Sequence, residues 1–370
     1  MRKFNIAILV TTRGRPERFL RLVDSFHRNA LFTDRIKVWC YVDDDDEASL
    51  ATLPAASREG GSVKFDIVVG PRPLTLGIAV NQLYEKAKED SDLFFFIGDE
   101  YVMETKAWDL EFDRVFSAYP DGIVLGYVPD TTIIDNGGNE DQQVTLPIMT
   151  RAWGERVGYF WPDDFPFWWS DTWLDEIALM VGRKAPVRVR VRSAGKGKTY
   201  RFWNAPFWAR VFERGFPDRL AAASKLWQAI PGHEGDEEGF FRAVSVQPLA
   251  DRFAAYRLSE GIEGILGELT HSGESGPPSA IYLEAERRAY ERYFADRSDE
   301  RQPAMPIRAW PWQFLERLAG SSRAMIGDQL RGEPLFLLAE RYGCTPGDLL
   351  AARNAFILGV VNNSGWRLTP

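Results

Sequence analysis

Three stretches of this 370-residue chain decide its fold: FNIAILVTTRGRP at 4–16, WCYVDDDDE at 39–47 and LFFFIGDE at 93–100. Each is a short apolar run that ends in charged or polar residues. Short runs that are apolar throughout are typical of strands buried on both faces of a parallel sheet. In open α/β sheets the chemistry gathers at the carboxyl ends of the strands. The sequence therefore predicts that a basic turn and two acidic clusters meet at one edge of a sheet.

Helical patterns alternate with these strands. Apolar residues recur at helical spacing over 16–30, 77–88 and 104–118, and further strands are predicted at 63–69 and 122–128. Strands that alternate with helices imply a mostly parallel central sheet with helices on both of its faces. We therefore predict an α/β fold for the first half of the chain.

The second half has a different pattern. Residues 131–145 form a polar loop without apolar periodicity, and VRVRVR at 187–192 alternates strictly, which predicts a strand with one apolar and one cationic face. We interpret the cationic face as solvated rather than as a site for a phosphorylated acceptor. Helical patterns dominate beyond it. We predict a catalytic domain over 1–210 and a mainly helical C-terminal region over 211–370.

Composition narrows the function. The net charge of −8 disfavours a general nucleic-acid binder, because phosphate attraction needs a basic surface. Cys40 and Cys344 form no disulfide or zinc pattern, and the three histidines (His27, His233 and His271) are too scattered for a metal triad. The start of the chain does not read as a signal peptide, and no apolar stretch approaches the ~20 residues of a membrane span. We expect a cytoplasmic protein.

The order and spacing of the motifs over roughly residues 4–180 resemble the GT-A fold of glycosyltransferases, in particular the large inverting family 2. The resemblance rests on the turn VTTRGRP at 10–16, on VDD at 42–44, on the helix start LGIAVN at 76–81 and on the DXD-like GDE at 98–100. Two departures stand out. Glu100 replaces the usual aspartate, and a run of four aspartates replaces the usual Asp-Asp-Gly-Ser turn.

The resemblance implies a role for each matched residue. Asp99 and Glu100 would hold Mn²⁺ or Mg²⁺ on the diphosphate of a nucleotide-sugar donor, because hard cations bind carboxylate and phosphate oxygens. Asp43 would accept hydrogen bonds from the base or the ribose. The remaining residues expected at the donor are Thr11, Thr12, Arg13, Arg15, Gly77 and Asn81.

Arg13 and Arg15 also suggest a phosphate site by their position alone. They flank Gly14 just before a predicted helix, where guanidinium groups and free backbone N–H groups favour phosphate oxygens. The alternative is that each arginine pairs with a nearby surface acid, Glu17 or Asp24.

On the acceptor side, Asp171 is the candidate base. It lies in SDTWL at 170–174, and in the resembling family an acid at such a helix start deprotonates the acceptor hydroxyl. A plain helix N-cap is the alternative, and Asp163 and Asp164 are the next candidates. The neighbouring tryptophans (Trp161, Trp168, Trp169 and Trp173) either stack on sugars or belong to the core.

The sequence therefore predicts a metal-dependent glycosyltransferase that moves a sugar from a nucleotide-diphosphate donor to an acceptor hydroxyl, with inversion. One alternative is a sugar nucleotidyltransferase, although residues 11–16 lack the glycine-rich loop of that class. Another is a non-catalytic binding protein that uses a helix-turn-helix at 338–353, with Arg353 as its base reader. A helical hairpin capped by Thr345, with Pro346 in its first turn, explains the same residues.

Overall fold

The computed structural model describes residues 2–58, 64–129, 144–166, 169–193, 203–246, 278–295, 318 and 320–364. Most of the predicted polar loop at 131–145, together with Trp168 and His271, lies outside these ranges. The chain forms two compact units. One contains Met1–Asp163, Ser170–Lys198 and Pro217–Gln247, and the other contains Asp164–Trp169, Thr199–Phe216 and Pro248–Pro370. The domain boundary near residue 210 stays a prediction about which parts fold independently.

A seven-stranded sheet forms the centre of the first unit, in the order β3-β2-β1-β4-β7-β6-β8. β1, β2, β3 and β4 are mutually parallel, β7 runs antiparallel to both of its neighbours, and β8 is parallel to β6. A separate antiparallel pair joins β5 to β9. The strands are β1 Ile6–Thr12, β2 Ile36–Asp43, β3 Phe65–Gly70, β4 Leu93–Phe96, β5 Tyr101–Met103, β6 Leu125–Tyr127, β7 Pro147–Thr150, β8 Lys184–Pro186 and β9 Val191–Ser193.

Helices surround the sheet and make up most of the second unit that the structure describes. They are α1 Pro16–Asn29, α2 Glu47–Arg58, α3 Leu76–Ala87, α4 Trp108–Phe116, α5 Arg151–Val157, α6 Ser170–Met180, α7 Ala205–Arg214, α8 Phe216–Ala229, α9 Glu237–Val246, α10 Ala280–Phe294, α11 Gly320–Leu330, α12 Leu335–Tyr342 and α13 Pro346–Ser364. Within the described ranges, no helix is long and apolar enough to cross a membrane.

The three phenylalanines of β4 show why this strand is apolar throughout. Phe95 packs on one face of the sheet, with its ring centre 5.9 Å from that of Phe26 in α1. Phe94 points to the opposite face, where its ring centre lies 4.8 Å from that of Tyr84 in α3. Helices therefore cover both faces, and a strand between two such layers buries every side chain.

The predicted α/β architecture, with a mostly parallel sheet, helices on both faces and a helical C-terminal region, is confirmed in the described part of the chain. The alternation over 187–192 is also real, since its valines are buried and its arginines exposed. Only Val191–Ser193 pairs as a strand, however, and it joins the small β5–β9 ladder.

In the second unit, the structure explains the helix-turn-helix-like sequence as a capped hairpin. α13 begins at Pro346, and Thr345 Oγ1 accepts from the backbone N–H of Asp348, whose carboxylate accepts from Thr345 in return. Arg353 is 1% exposed. The expectation that Arg353 reads bases is therefore not supported, because base readout needs a side chain at the surface.

A buried ion cluster ties α4 to the start of the chain. Arg35 Nη1 donates to Asp113 Oδ1 at 2.6 Å and to the carbonyl of Phe4 at 3.0 Å, and Arg35 Nη2 donates to Asp109 Oδ2 at 2.8 Å. Both carboxylates are fully buried. Buried charges persist only when they are paired and hydrogen-bonded, so this cluster fixes α4 against the entry to β1.

We expect Arg35→Met to lower the free energy of unfolding by about 3–5 kcal/mol, because it leaves two buried carboxylates without a cation. Urea denaturation measures the loss. Arg28→Met is the control, because the Arg28–Asp24 ion pair is exposed and such pairs contribute about 1 kcal/mol or less. Equal losses in the two variants would contradict the role given to the cluster.

Candidate functional site

The carboxyl ends of β1 and β4 are joined by a buried contact between Thr12 and Asp99. Thr12 Oγ1 donates to Asp99 Oδ2 at 2.7 Å, and Arg15 Nη2 lies 3.1 Å from Asp99 Oδ1. Asp99 is 2% exposed, whereas the Arg15 side chain is 39% exposed. The last residue of β1 therefore contributes a hydroxyl, and the turn after it contributes a cation, to the acid that follows β4, as the strand order of a parallel sheet allows.

Asp99 and Glu100 form a pair of adjacent carboxyl groups whose charges interact. Burial raises the pKa of Asp99 and of Glu100, and the negative charge of Asp99 raises the pKa of Glu100 further. Two acids in such a place resist being ionised together. A cation bound between the two carboxylates would offset the free-energy cost of ionising both.

The donor set fits a divalent cation. Mg²⁺ is usually bound through one or two carboxylates together with substrate phosphates and water. Asp99 and Glu100 supply the carboxylates, and a bound diphosphate would supply further oxygens. In the described part of the chain, no group of three or more His, Cys, Asp or Glu side chains is placed to hold a metal ion.

The turn after β1 is also bound to the acidic run after β2. Arg13 Nη1 donates to Asp43 Oδ2 at 2.6 Å and to Asp45 Oδ1, while Arg13 Nη2 donates to Asp45 Oδ2 at 2.9 Å. Asp46 accepts from the backbone N–H of Gly14 at 2.7 Å and from that of Ser49 at 3.2 Å. Three of the four aspartates therefore shape the Arg13–Gly14 turn or begin α2.

Asn81 lies inside α3 and uses its amide to hold one loop. Its Oδ1 accepts from the backbone N–H groups of Phe160 at 3.0 Å and Trp161 at 2.9 Å, and its Nδ2 donates to the carbonyl of Trp161 at 2.8 Å. The ring of Trp161 in turn packs on Phe96, with 5.0 Å between ring centres. Asn81 thereby sets the backbone beside the end of β4.

Gly77 is required by the same loop. A Cβ at this position would lie 2.3 Å from the carbonyl oxygen of Pro162 and 2.8 Å from Cα of Asp163. Both neighbours are backbone atoms, so any larger residue would push the loop away. Thr75 Oγ1 also donates to the carbonyl of Asp163 at 2.8 Å.

Asp171 lies in the first turn of α6, one residue after its start at Ser170. Its Oδ1 accepts from the backbone N–H of Thr172 at 2.8 Å, and burial raises the pKa of Asp171 to about 6. Two further acids of the helix have cations: Lys184 Nζ lies 2.7 Å from Asp175, and Arg219 Nε lies 2.6 Å from Glu176. In the described ranges Asp171 has no cationic partner, so it differs from both.

Of the two other candidates for the base, Asp164 has structural partners. Asp164 is buried, lies 3.0 Å from Arg292 Nη1 and accepts from the Tyr293 hydroxyl at 2.8 Å. The Asp164 carboxylate is therefore already bound by a cation and a hydroxyl. Trp161, Trp169 and Trp173 are all buried, which agrees with the core interpretation of these residues.

The structure thus brings together the residues at three strand ends, and it connects Gly77 and Asn81 to the loop at 160–163. The described contacts of Asp171 are with its own helix and do not join it to that group. Thr11 belongs to β1 and is partly buried. The sequence analysis missed Asp45 as the main partner of Arg13. The run of four aspartates indicated that a cation binds there, but only the fold shows which aspartate Arg13 contacts.

No protein-family model and no curated protein matches the chain. Solved structures do. The mannosyltransferase PcManGT from Pyrobaculum calidifontis, in complex with GDP-Man and Mn²⁺, is 13% identical over 80% of this chain and 89% of its own, with a TM-score of 0.47. S. aureus TarS 1–349 with UDP-GlcNAc is 9% identical over 98% and 92%, with a TM-score of 0.46. GalNAc-T7 with UDP, GalNAc and Mn²⁺ is 10% identical over 70% and 58%, with a TM-score of 0.45.

At these identities and TM-scores, function has to be inferred from the residues of this chain itself.

We expect Asn81→Ala to lower the free energy of unfolding by about 2–4 kcal/mol, because two backbone N–H groups and one carbonyl lose their partner. Chemical denaturation checks this. Gln82→Ala on the same helix is the control, since Gln82 is exposed. A loss no larger than that of Gln82→Ala would show that Asn81 does not hold the loop.

Proposed function

We propose that this chain is a metal-dependent glycosyltransferase that moves a sugar from a nucleotide-diphosphate donor to an acceptor hydroxyl, with inversion. The observation that carries the proposal is the acid pair Asp99–Glu100 after β4, in which Asp99 accepts from Thr12 and pairs with Arg15. The pair combines carboxylates for a cation with a half-exposed guanidinium for phosphate oxygens.

The remaining donor residues follow from their positions. Asp43 ends β2, which is separated from β4 by β1 in the sheet order, and it offers a carboxylate to the nucleoside. Arg15 and the N-terminus of α1 stabilise negative charge on the diphosphate. A divalent cation bound at Asp99 and Glu100 would offset the charge that develops on the leaving nucleoside diphosphate.

Asp171 acts as the base that removes the proton of the acceptor hydroxyl. A base works best when its pKa lies near the working pH, and a pKa of about 6 leaves Asp171 mostly ionised but still basic at neutral pH. Asp175 and Glu176 are less suited, because each is compensated by a cation. Displacement of the diphosphate by the activated hydroxyl on the opposite face of the sugar gives inversion.

Asp99→Asn combined with Glu100→Gln should abolish the Mn²⁺-dependent part of nucleoside diphosphate binding, because amides are far weaker ligands for hard cations. The melting temperature of the variant should rise at pH 7 to 8. Folding raises the pKa of both acids, so the wild type loses stability as the pH rises and both ionise, and neutral amides remove that penalty.

Isothermal titration with UDP and GDP, with and without Mn²⁺, measures the binding. The matched control is Glu89→Gln with Asp90→Asn, an adjacent acid pair that is exposed and carries the same charge. Unchanged Mn²⁺-dependent affinity in the Asp99/Glu100 variant would refute the metal assignment.

Asp171→Asn should keep donor binding and lower turnover by roughly 10²–10⁴-fold, the usual contribution of a positioned base. In the wild type, kcat/KM should increase with pH through an inflection near 6, because the base must be ionised, and the variant should lose this inflection. Asp163→Asn tests the remaining alternative. Near-normal turnover in Asp171→Asn together with a large loss in Asp163→Asn would identify Asp163 as the base instead.

A further inference from the structure

Arg13 is more completely bound to carboxylates than a phosphate-binding arginine should be. Three of the five N–H donors of its guanidinium are used, one on Asp43 and two on Asp45. Bidentate pairing with Asp45 fixes the plane of the guanidinium, because an arginine fork matches a carboxylate geometrically.

The charges of this cluster are unfavourable for an anion. Arg13 lies between two carboxylates, so the three side chains together carry a net charge of −1. Arg15 differs, because its one described ion pair is with Asp99 at 3.1 Å and its side chain is 39% exposed. A diphosphate next to the turn is therefore attracted by Arg15 rather than by Arg13.

Arg13 holds one oxygen of the Asp43 carboxylate in place. The Asp43 side chain is 10% exposed, and Oδ2 is taken by Arg13. Among the described residues nothing donates a hydrogen bond to the second oxygen, Oδ1. A carboxylate that is held at one oxygen by a fixed donor presents its other oxygen in a defined direction, which is how outer partners orient ligand-binding groups.

We infer that Arg13 and Asp45 are positioning residues for the nucleoside: Asp45 fixes the guanidinium of Arg13, and Arg13 fixes Asp43 so that its free oxygen accepts from the base or ribose. This inference rests on the proposed donor site. It assigns Arg13 to the nucleoside end instead of the diphosphate, and it gives a role to Asp45, which stands where the resembling family has glycine.

The test measures separately how the protein binds the nucleoside and the diphosphate of the ligand. Asp45→Asn and Arg13→Lys should each weaken binding of UDP or GDP, whichever the wild type prefers, by about tenfold, the lower end of what outer partners contribute. The affinity for inorganic pyrophosphate with Mn²⁺ should not change. The double variant should be no weaker than the weaker single variant, because both changes break one chain of contacts.

Asp44→Asn is the matched control, since Asp44 is exposed, carries the same charge and is adjacent to Asp45 but makes no described contact with Arg13. It should leave both affinities unchanged. Equal losses for pyrophosphate and for the nucleoside diphosphate would overturn the inference, because Arg13 would then bind phosphate. Equal effects of Asp44→Asn and Asp45→Asn would also overturn it. A wild-type chain that binds pyrophosphate but no nucleoside diphosphate would refute the proposed donor site itself.

Discussion

The pairing of acids at the strand ends with arginines of a single turn is the constraint on which the candidate site depends. β1, β2 and β4 each end at the same edge of the sheet, and two of them deliver carboxylates there that are at most 10% exposed. Burying an ionised carboxylate costs free energy unless a cation or a hydrogen-bond donor faces it. The last residue of β1 and the turn after it supply both, through the Thr12 hydroxyl, the Gly14 N–H and two guanidinium groups.

The two arginines of the turn therefore have different partners. Arg13 is committed to the acids after β2, whereas Arg15 faces the acid pair after β4 and keeps a half-exposed side chain. The turn is short, so its backbone must bring successive side chains to two different strands. Gly14 has a φ of +65°, a conformation that glycine adopts without strain, and no atom lies near its Cα on the side where a Cβ would project.

The sequence predicted the parts of this arrangement that depend on local pattern. The three buried strands and their polar ends follow from apolar runs of four to seven residues, and α1 and α3 follow from helical periodicity. The helix at Glu47–Arg58 was missed, because Leu50 and Leu53 are its only large apolar residues and Pro54 interrupts the pattern. The antiparallel insertion of β7 beside β4 was also missed, since strand order is set by packing across the whole unit and leaves no local signal.

Pairing within the site could not be predicted for the same reason. Which aspartate of the run meets Arg13 depends on where the turn after β2 points, and this depends on β3, whose Gly70 carbonyl accepts from the N–H of Asp44. Asn81 illustrates a different limit. Its spacing from Gly77 was visible, but its partners lie about 80 residues further along the chain, and only the folded backbone brings them together.

The central position of β4 has a consequence for how the chain is made. The run LFFFI lies between β1 and β7 in the finished sheet, but β7 begins only at Pro147, some fifty residues later. At about 5–20 residues per second, a ribosome needs several seconds to produce the segment in between. Until β7 is synthesised, β4 lacks the strand that pairs with one of its edges, and an unpaired aromatic strand without charge is the kind of segment that pairs with other chains. For several seconds of its biosynthesis, the chain therefore carries β4 as an unpaired strand that chaperones can bind.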